Sequence, residues 1–368
     1  MLGHRPHFIT ALANDRLGAF ALQDFDTYDF SQSQLHIAWL PSESSATSPR
    51  ELTCKLTNSD ESTSCFALVL VDSITGQCEY VIANLDTVKA IDKKTIRKHS
   101  NLISEAPLIV TDANLSQDSL VSLIELCCEH KKHLFIEPTD VMALPQLVGA
   151  LNQMDLQQSH SLASIVCLTP NLVELNEMLR LFDGLERKSV GNNGNDKALN
   201  TANPFDGACT GDLSRVDRAK RAAQLLLTRH LRNVRSLLVT LDKDGILFAV
   251  RSITETDLFD ANEFNLLLDT PTGNTSIVRD SVETTGERSS DIVFEHFPAP
   301  KIIDRPVSGS GAGDSFAAGF ISGLLHNQPI AKCIAKGFEA SLLALQSRDT
   351  IPKALRGLAI CSDSTNHK

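Results

Sequence analysis

The sequence predicts an α/β protein with a mainly parallel sheet that helices cover on both faces, plus a small antiparallel β flap. From residue 106 onward, short apolar runs alternate with longer stretches whose apolar residues recur at helical spacing. Such alternation is typical of parallel sheets built from strand and helix units. Before residue 106, short β-like runs are separated by clusters of Ser, Thr, Asn, Asp, Gly and Pro, which favours antiparallel pairing.

Local patterns give the individual elements. In the first predicted helix, Leu120, Leu123, Ile124 and Cys127 form one apolar stripe. Pro170 opens a later helix, where a proline suits the first turn. The predicted helices cover residues 116–131, 143–154, 170–182 and 213–231. The predicted strands cover residues 35–40, 51–56, 65–72 and 77–82 in the flap, then 106–112, 133–137, 164–168 and 236–241.

These elements predict one domain over residues 1–348, with a β-rich lid over 33–85 and a tail over 349–368. Residues 188–211 are rich in Asn and Gly, and residues 252–291 are polar and acidic with little periodicity. We expect both segments to be mobile surface insertions, because long loops are uncommon inside a compact domain.

Composition excludes several classes of protein. The 368 residues are 42% hydrophobic and 21% charged, which is the range of globular proteins. The net charge of −11 opposes binding to nucleic acid or to an anionic membrane. The nine cysteines form no C-x-x-C pair, and the 11 histidines show neither H-x-x-x-H nor H-E-x-x-H spacing. Since no signal-peptide pattern is visible either, we expect reduced thiols in a cytoplasmic protein and no zinc site of these kinds.

A glycine-rich segment carries the most chemical information. Small residues crowd positions 308–313, and Phe316, Phe320 and Leu324 then recur at helical spacing. A glycine loop that opens onto a helix exposes backbone N–H groups beside the positive end of the helix dipole, which is an anion site. Asp314 would stand in the first turn of that helix, where it could accept a proton from a hydroxyl.

A plainer interpretation is a flexible linker followed by an Asp that favours the start of a helix. The segment is not a Walker A loop, because no G-K-[ST] follows the glycines. It is not a dinucleotide-binding G-x-G-x-x-G turn either, and the serines nearby lack the G-x-S-x-G pattern of hydrolases.

The sequence resembles the ribokinase-like, or PfkB, carbohydrate and nucleoside kinases. Gly311-Ala-Gly-Asp314 followed by Ser-Phe-x-x-Gly is similar to the C-terminal signature of that family. Three further segments resemble motifs of the family and occur in the same order. Residues 9–18 resemble the family's Ala-Val-Gly-x-Asp-x-x-Gly stretch, and residues 170–174 match its Asn-x-x-Glu element. Residues 239–245 match its Thr-x-Gly turn. The resemblance spans roughly residues 8–348 and implies a ribokinase-like three-layer sandwich with a β lid.

The resemblance also implies an active site. It makes Asp314 the catalytic base, with Gly311, Ala312 and Gly313 as the anion hole for the γ-phosphoryl group of ATP. Asn171 and Glu174 would organise Mg²⁺ largely through its waters. Independently, Glu174 at the start of a helix has the simpler interpretation of a residue that complements the helix dipole.

On the nucleotide side, the resemblance places Thr240 and Gly245 beside ATP, and residues 331–340 beside the adenine ring. In isolation, residues 242–245 are a hairpin turn, and residues 331–340 are ordinary helical core.

Within the family, residues 112–114, 135–138 and 17–24 are most similar to pseudouridine kinases, which phosphorylate the 5′-hydroxyl of a C-nucleoside. Asp112 and Asn114 would then contact the substrate. Asp112 could equally be a strand-end residue that caps the following helix. The implied partners are a small nucleoside or sugar, a second copy bound through the lid, and a fused or associated pseudouridine-phosphate glycosidase.

Two departures from the family pattern matter. The family's first strand and its Gly-Gly-x-x-x-Asn loop are missing, so we expect an incomplete sheet and acceptor pocket. Ser308 and Gly309 replace the Asp and Thr that relatives often have before the glycines, so activation by a monovalent cation is doubtful. The alternative function is therefore an impaired nucleotide-binding remnant or an interaction module.

Overall fold

The structure is a computed structural model that describes residues 2, 4, 6–27, 35–39, 63–76, 78–156, 165–190, 213–251, 292–349 and 351–360. It divides into two compact units. The first unit comprises Met1–Leu102, Asn114–Ser119 and Ile303–Lys368, and the second comprises Ile103–Ala113 and Leu120–Ile302.

The second unit is built on a six-stranded sheet. Its strands are β5 (Ile109–Asp112), β6 (Leu134–Glu137), β7 (Ile165–Leu168), β8 (Ser236–Thr240), β9 (Ile246–Arg251) and β10 (Ile292–Phe297). They follow the order β10-β9-β8-β7-β6-β5, in which β5 to β8 are parallel and β9 and β10 are antiparallel. The expectation of a mainly parallel sheet is confirmed.

Burial along the central strands shows that both faces of this sheet are covered. Successive side chains of a strand point to opposite faces, yet every residue of β7 is buried. Four of the five residues of β8 are buried as well. Strands of this kind are continuous apolar runs, because helices cover both sides. The helices of this unit are α4 (Gln117–Glu129), whose first residues belong to the first unit, α5 (Leu144–Leu156), α6 (Leu172–Val190) and α7 (Arg215–Arg229).

The first unit contains two small sheets. Strands β1 (Phe8–Leu12) and β2 (Leu35–Trp39) pair in parallel, and β3 (Phe66–Val71) and β4 (Cys78–Asn84) form an antiparallel hairpin. The hairpin confirms the predicted antiparallel flap. The antiparallel pairing expected for residues 35–40 is wrong, because β2 joins β1 after the intervening helix α1 (Arg16–Thr27) in the manner of a strand–helix–strand unit.

The first unit contains five further α-helices among its described residues. They are α2 (Lys93–Lys98), α3 (Ser100–Glu105), which reaches into the second unit, α8 (Ala312–Leu325), α9 (Ile330–Leu345) and α10 (Leu355–Ile360). Helix α10 lies in the predicted tail.

The predicted helices agree with the structure within a few residues, except at the end of α6. That helix extends from the predicted end at 182 to Val190, through Gly184 and the first residues of the expected insertion over 188–211. The remainder of that segment, the insertion over 252–291 and the predicted strand over 51–56 lie outside the described residues. The first strand that the family resemblance marks as missing stays a prediction; β5 is the last strand in the observed order.

Glycines let α8 and α9 pack closely. A Cβ atom at Gly319 would lie 2.6 Å from the carbonyl oxygen of Lys336 and 2.9 Å from the Cα of Gly337. At Gly323, it would lie 2.8 Å from the Cα of Cys333. Since these neighbours are backbone atoms, a side chain at either glycine would force the helices apart.

We predict that Gly319→Ala destabilises the protein by about 1–3 kcal/mol, the usual cost of inserting a methyl group into a packed core. Gly184→Ala is the matched control, because a Cβ atom at Gly184 would meet no atom within 4 Å. The control should stabilise α6 by roughly 0.5–1 kcal/mol, since alanine favours the helix. Thermal unfolding of both variants checks this, and equal melting temperatures would contradict the close packing.

Candidate active site

The glycine loop of the first unit ends at the N-terminus of α8. Gly311 is the N-cap residue and has a left-handed backbone with φ of 76°, which glycine adopts without strain. No side chain caps the helix at this position. Backbone N–H groups in the first turn of a helix have no partner within the helix, so this end favours an anion. A Cβ atom at Gly313 would meet open space, which leaves room for a ligand.

Asp314 lies in the first turn of α8 and is exposed. The structure therefore places this carboxylate at the surface and not beneath packed side chains. Ser315, Phe316 and Ala317 follow it and are buried, so they anchor the turn in the core. The predicted anion-hole residues and the predicted base thus occupy one turn of helix.

The hairpin turn between β3 and β4 holds the glycine loop in place. The N–H group of Gly309 donates to the carbonyl oxygen of Gly76 at 2.8 Å. Gly76 has φ of 69°, and a Cβ atom there would lie 2.2 Å from the carbonyl oxygen of Pro306. Within the loop, the N–H group of Ser310 donates to the Ser308 hydroxyl at 3.1 Å. Only glycine at position 76 allows this close approach of the two chain segments.

A second contact fixes the beginning of the hairpin. Asp15 accepts hydrogen bonds of 2.7 Å from the Gly18 N–H, the Ser64 N–H and the Ser64 hydroxyl. Ser64 is buried, and its hydroxyl also accepts from the N–H group of Ala13 at 2.9 Å. Partial burial works against the charged form of Asp15, but these hydrogen bonds outweigh it and lower the pKa of the carboxyl group. Asp15 therefore links the turn between β1 and α1 to the residue that precedes the β3–β4 hairpin.

In the second unit, Asn171 and Glu174 begin α6 and hydrogen-bond to each other reciprocally. The Asn171 side-chain oxygen accepts from the N–H groups of Val173 and Glu174, both at 2.9 Å. The Glu174 carboxylate accepts from the N–H group of Asn171 at 2.8 Å. This is the pattern of a capping box. Glu174 is buried and Asn171 is exposed, so the predicted metal residues lie together in the role of helix caps.

Thr240 ends the neighbouring strand β8 and lies beside this helix start. Its N–H group donates to the carbonyl oxygen of Pro170 at 3.0 Å, and it pairs with Asn171 in an isolated parallel bridge. Predicted nucleotide-side and metal-side residues therefore meet at the carboxyl end of two adjacent strands. Ligands of open parallel sheets bind at this edge.

The turn after Thr240 is a tight hairpin, as the sequence indicates. Gly245 has φ of 93°, and a Cβ atom there would lie 2.1 Å from the carbonyl oxygen of Phe297. Asp242 has φ of 53°, a left-handed backbone that favours glycine, although Asp tolerates it better than most residues. Arg215 contacts the Asp242 carboxylate at 2.8 Å. Asp242 thus adopts a backbone conformation that glycine prefers.

The predicted substrate residues follow β5. Asp112 is the last residue of that strand and is exposed, and Asn114 is half-buried two residues later. The boundary between the two units falls between these residues: Asp112 belongs to the second unit and Asn114 to the first.

Glu137 is a further candidate site residue, to which the sequence analysis gave no role. It ends β6 in register with Asp112, and the Thr169 hydroxyl donates to its carboxylate. Its sequence signal is an acidic residue at the end of a buried strand. Asp112 and Glu137 therefore place two carboxylates at the carboxyl ends of adjacent parallel strands of the second unit, and Glu174 follows β7 in the first turn of α6.

Helix α9 contains the segment that the resemblance places beside the adenine ring. Its buried residues include Cys333, Ile334 and Ala340. Among the described residues, no helix is both long enough and apolar enough to cross a membrane.

Comparison with known proteins confirms the fold, and it confirms the resemblance to the PfkB kinases for the C-terminal part of the chain. Residues 273–355 match the pfkB family carbohydrate kinase model, and this range contains the whole glycine loop and α8. No curated protein matches the sequence.

The fold is that of the ribokinase-like proteins. Adenosine kinase from Sinorhizobium meliloti is similar with a TM-score of 0.58 and 13% sequence identity, over 98% of this chain and 77% of that one. Ribokinase from Thermotoga maritima is similar with a TM-score of 0.54 and 15% identity, over 95% of this chain and 80% of that one. Adenosine kinase from Anopheles gambiae, in complex with P1,P4-di(adenosine-5) tetraphosphate, is similar with a TM-score of 0.55 and 16% sequence identity. The likeness covers 94% of this chain and 75% of that one. At these sequence identities, the likenesses show the fold of this chain.

We predict a pH dependence that arises at Asp15. Because its folded-state pKa lies below the ordinary value of about 4, the ionised carboxylate stabilises the fold above that pH. The contribution is lost as the pH falls through the lowered pKa. The difference in melting temperature between the wild type and Asp15→Asn should therefore be constant near neutrality and shrink below about pH 4. A difference that does not change with pH would contradict this account.

Proposed function

We propose that this protein transfers the γ-phosphoryl group of ATP to a hydroxyl group of a nucleoside or sugar. The observation that carries the proposal is the exposed Asp314 in the first turn of α8, directly after the left-handed Gly311. An anion-binding turn and a base three residues apart are the two groups that phosphoryl transfer to an alcohol requires.

In this proposal, the acceptor oxygen forms a bond to phosphorus as the bond to ADP breaks. The hydroxyl proton passes to the Asp314 carboxylate. The N–H groups of Gly311, Ala312 and Gly313 stabilise the charge on the oxygens of the transferring group. The α8–α9 packing and the Gly76 contact hold this turn. The Ala312 N–H group donates to the carbonyl oxygen of Gly309 at 3.4 Å, so it would exchange this long hydrogen bond for one to the phosphoryl group.

Mg²⁺ fits the oxygen chemistry at the carboxyl edge of the second unit. Asn171, Glu174 and Glu137 supply the amide and carboxylate oxygens that this ion prefers, and Glu174 is held in place by its own helix cap. When bound, Mg²⁺ neutralises phosphate charge. Because the Asn171 and Glu174 oxygens accept backbone hydrogen bonds, we propose that they act on the ion largely through its waters. Thr240 and Gly245 would border the nucleotide. Because Ser308 and Gly309 replace the Asp and Thr that relatives often have, we propose no activation by a monovalent cation.

Pseudouridine is the acceptor that we favour, with its 5′-hydroxyl as the reacting group. The support is the sequence similarity over residues 112–114 and 135–138, where the structure has two adjacent strands that end in Asp112 and Glu137. Polar side chains at these ends suit the hydroxyl groups of a ribose ring. A glycosidase that acts on the phosphorylated product remains a further proposal.

The hairpin favours contact with a second copy of this chain. Leu68, Tyr80 and Ile82 are each more than half exposed, so apolar side chains of the hairpin meet solvent. Pairing two lids would bury them. A cytoplasmic location is also proposed, and six described cysteines that are free thiols support it.

We predict that Asp314→Asn lowers kcat by about 10²–10⁴-fold, the usual contribution of a general base. ATP affinity should change little, because a lost base affects the transition state more than the ground state. Asp118→Asn is the matched control, since Asp118 is an exposed Asp in the first turn of α4. ADP release and ATP binding are measured for both. Retained turnover in Asp314→Asn would refute the assigned role.

A second variant separates the metal role of Glu174 from its role as a helix cap. Gln at this position keeps an oxygen for the Asn171 N–H group but removes the charge. We predict an unchanged melting temperature and a requirement for roughly tenfold more Mg²⁺. Glu177→Gln, three residues along the same helix, is the control. A Mg²⁺ dependence equal to that of the control would leave Glu174 as a helix cap alone.

A further inference from the structure

A buried histidine meets two carboxylates where α6 approaches the end of α7. His230 is the C-cap residue of α7, and its N–H group donates to the carbonyl oxygen of Leu226 at 3.0 Å. The ring Nε2 atom lies 3.7 Å from the Asp183 carboxylate, and Nδ1 lies 3.4 Å from the Glu186 carboxylate. The ring stacks on Phe182, with centroids 4.9 Å apart and an angle of 8° between the planes. The imidazole is therefore fixed in orientation.

The His230 ring is short of partners for its position. Its side chain is only 4% exposed, and Nε2 is buried with no hydrogen-bond partner among the described residues. Buried polar atoms are normally satisfied, and one that is not calls for a water, an ion or a specific role. Here the unpartnered nitrogen faces an acidic side chain.

Electrostatics at this position favours a neutral ring. Burial lowers the pKa of His230, and Arg229 acts in the same direction. Glu186, Asp183 and Asp155 act against it without reversing the shift. A neutral imidazole offers a lone pair, and the surrounding carboxylates attract a cation.

We propose that His230, Asp183 and Glu186 bind a divalent transition-metal ion, of which Zn²⁺ is the best match. One ligand atom from each residue lies within 4.8 Å of the others. The ion would bind at the unpartnered Nε2 atom beside Asp183, and the exposed Glu186 side chain would turn from Nδ1 towards it. An imidazole with two carboxylates is a donor set that suits Zn²⁺ better than Mg²⁺ or Ca²⁺. The Glu186 side chain is 62% exposed, which gives the ion an entry path and water a coordination position.

The site would join the two helices. Asp183 and Glu186 are three residues apart on α6 and share one face of that helix, whereas His230 ends α7. Glu174, at the start of α6, is nine residues before Asp183, about 14 Å along the helix axis. The proposed site therefore lies apart from Glu174 and does not rest on the kinase proposal.

The test is a Zn²⁺ titration of the full-length protein after removal of bound metal with a chelator. Calorimetry and thermal unfolding are measured for the wild type, His230→Gln, Asp183→Asn and the control Glu177→Gln, which changes a carboxylate of the same helix outside the cluster. We expect the wild type and the control to bind Zn²⁺ and gain melting temperature. The other two variants should bind at least about tenfold more weakly and lose the gain.

A Co²⁺ spectrum of the wild type identifies the ligands, because binding at cysteine gives strong thiolate-to-metal absorption and this site would not. Equal Zn²⁺ affinity and equal thermal gain in all four proteins would overturn the proposal, as would a thiolate spectrum that is unchanged in Asp183→Asn. If His230→Gln does not fold, Asp183→Asn decides, because that residue is partly exposed and its replacement preserves shape.

Discussion

The first turn of α8, the proposed anion site, depends on a backbone path that side chains would block. Gly311 turns left-handed to open α8, and Gly76 brings the hairpin against the loop that precedes it. Gly319 and Gly323 then let α9 approach α8 to backbone contact. Glycines in this unit thus replace side-chain packing with close approach of main chain to main chain. The rigidity of the turn follows, and rigid donors are what electrostatic stabilisation of a transition state needs.

The second unit collects its polar residues by a different principle. Parallel strands send their carboxyl ends to one edge of the sheet, so Asp112, Glu137 and Thr240 need no sequence proximity to share it. The capping box of Asn171 and Glu174 lies beside Thr240 for the same reason. Glu174 can stabilise the start of α6 and also take part in the proposed chemistry, because the capping hydrogen bond orients its carboxylate and burial removes part of its water. The proposed zinc site on α6 and α7 uses another set of side chains altogether.

The sequence pattern predicted the elements that local interactions determine. Apolar runs located β7 and β8, helical spacing located α4 and α5, and the glycine of the 242–245 turn is explained by its backbone angle. The sequence pattern did not predict strand pairing or the end of a helix where contacts outside the local segment determine them. Strand β2 pairs with β1 across the intervening helix, and α6 continues past Phe182 although Gly184 has low helix propensity.

The same limit applies to the candidate sites. The resemblance supplied Asp314 and the glycines, and the structure places them in one helical turn. It supplied no role for Asp15, whose partner Ser64 is 49 residues away in sequence. For Glu137, the sequence offered only an acidic residue at the end of a buried strand, which is a weak indication of a functional site. His230 had no metal-binding spacing, since its two carboxylates lie on another helix and only the fold brings them together.

The most direct measurement of the central claim is acceptor-dependent release of ADP. Purified full-length protein is mixed with MgATP and pseudouridine, ribose or adenosine in turn, with no acceptor as the reference. The account predicts release of one ADP per phosphorylated acceptor, fastest with pseudouridine. Thermal stabilisation by ATP without ADP release from any of the three acceptors would contradict kinase activity and favour a nucleotide-binding remnant.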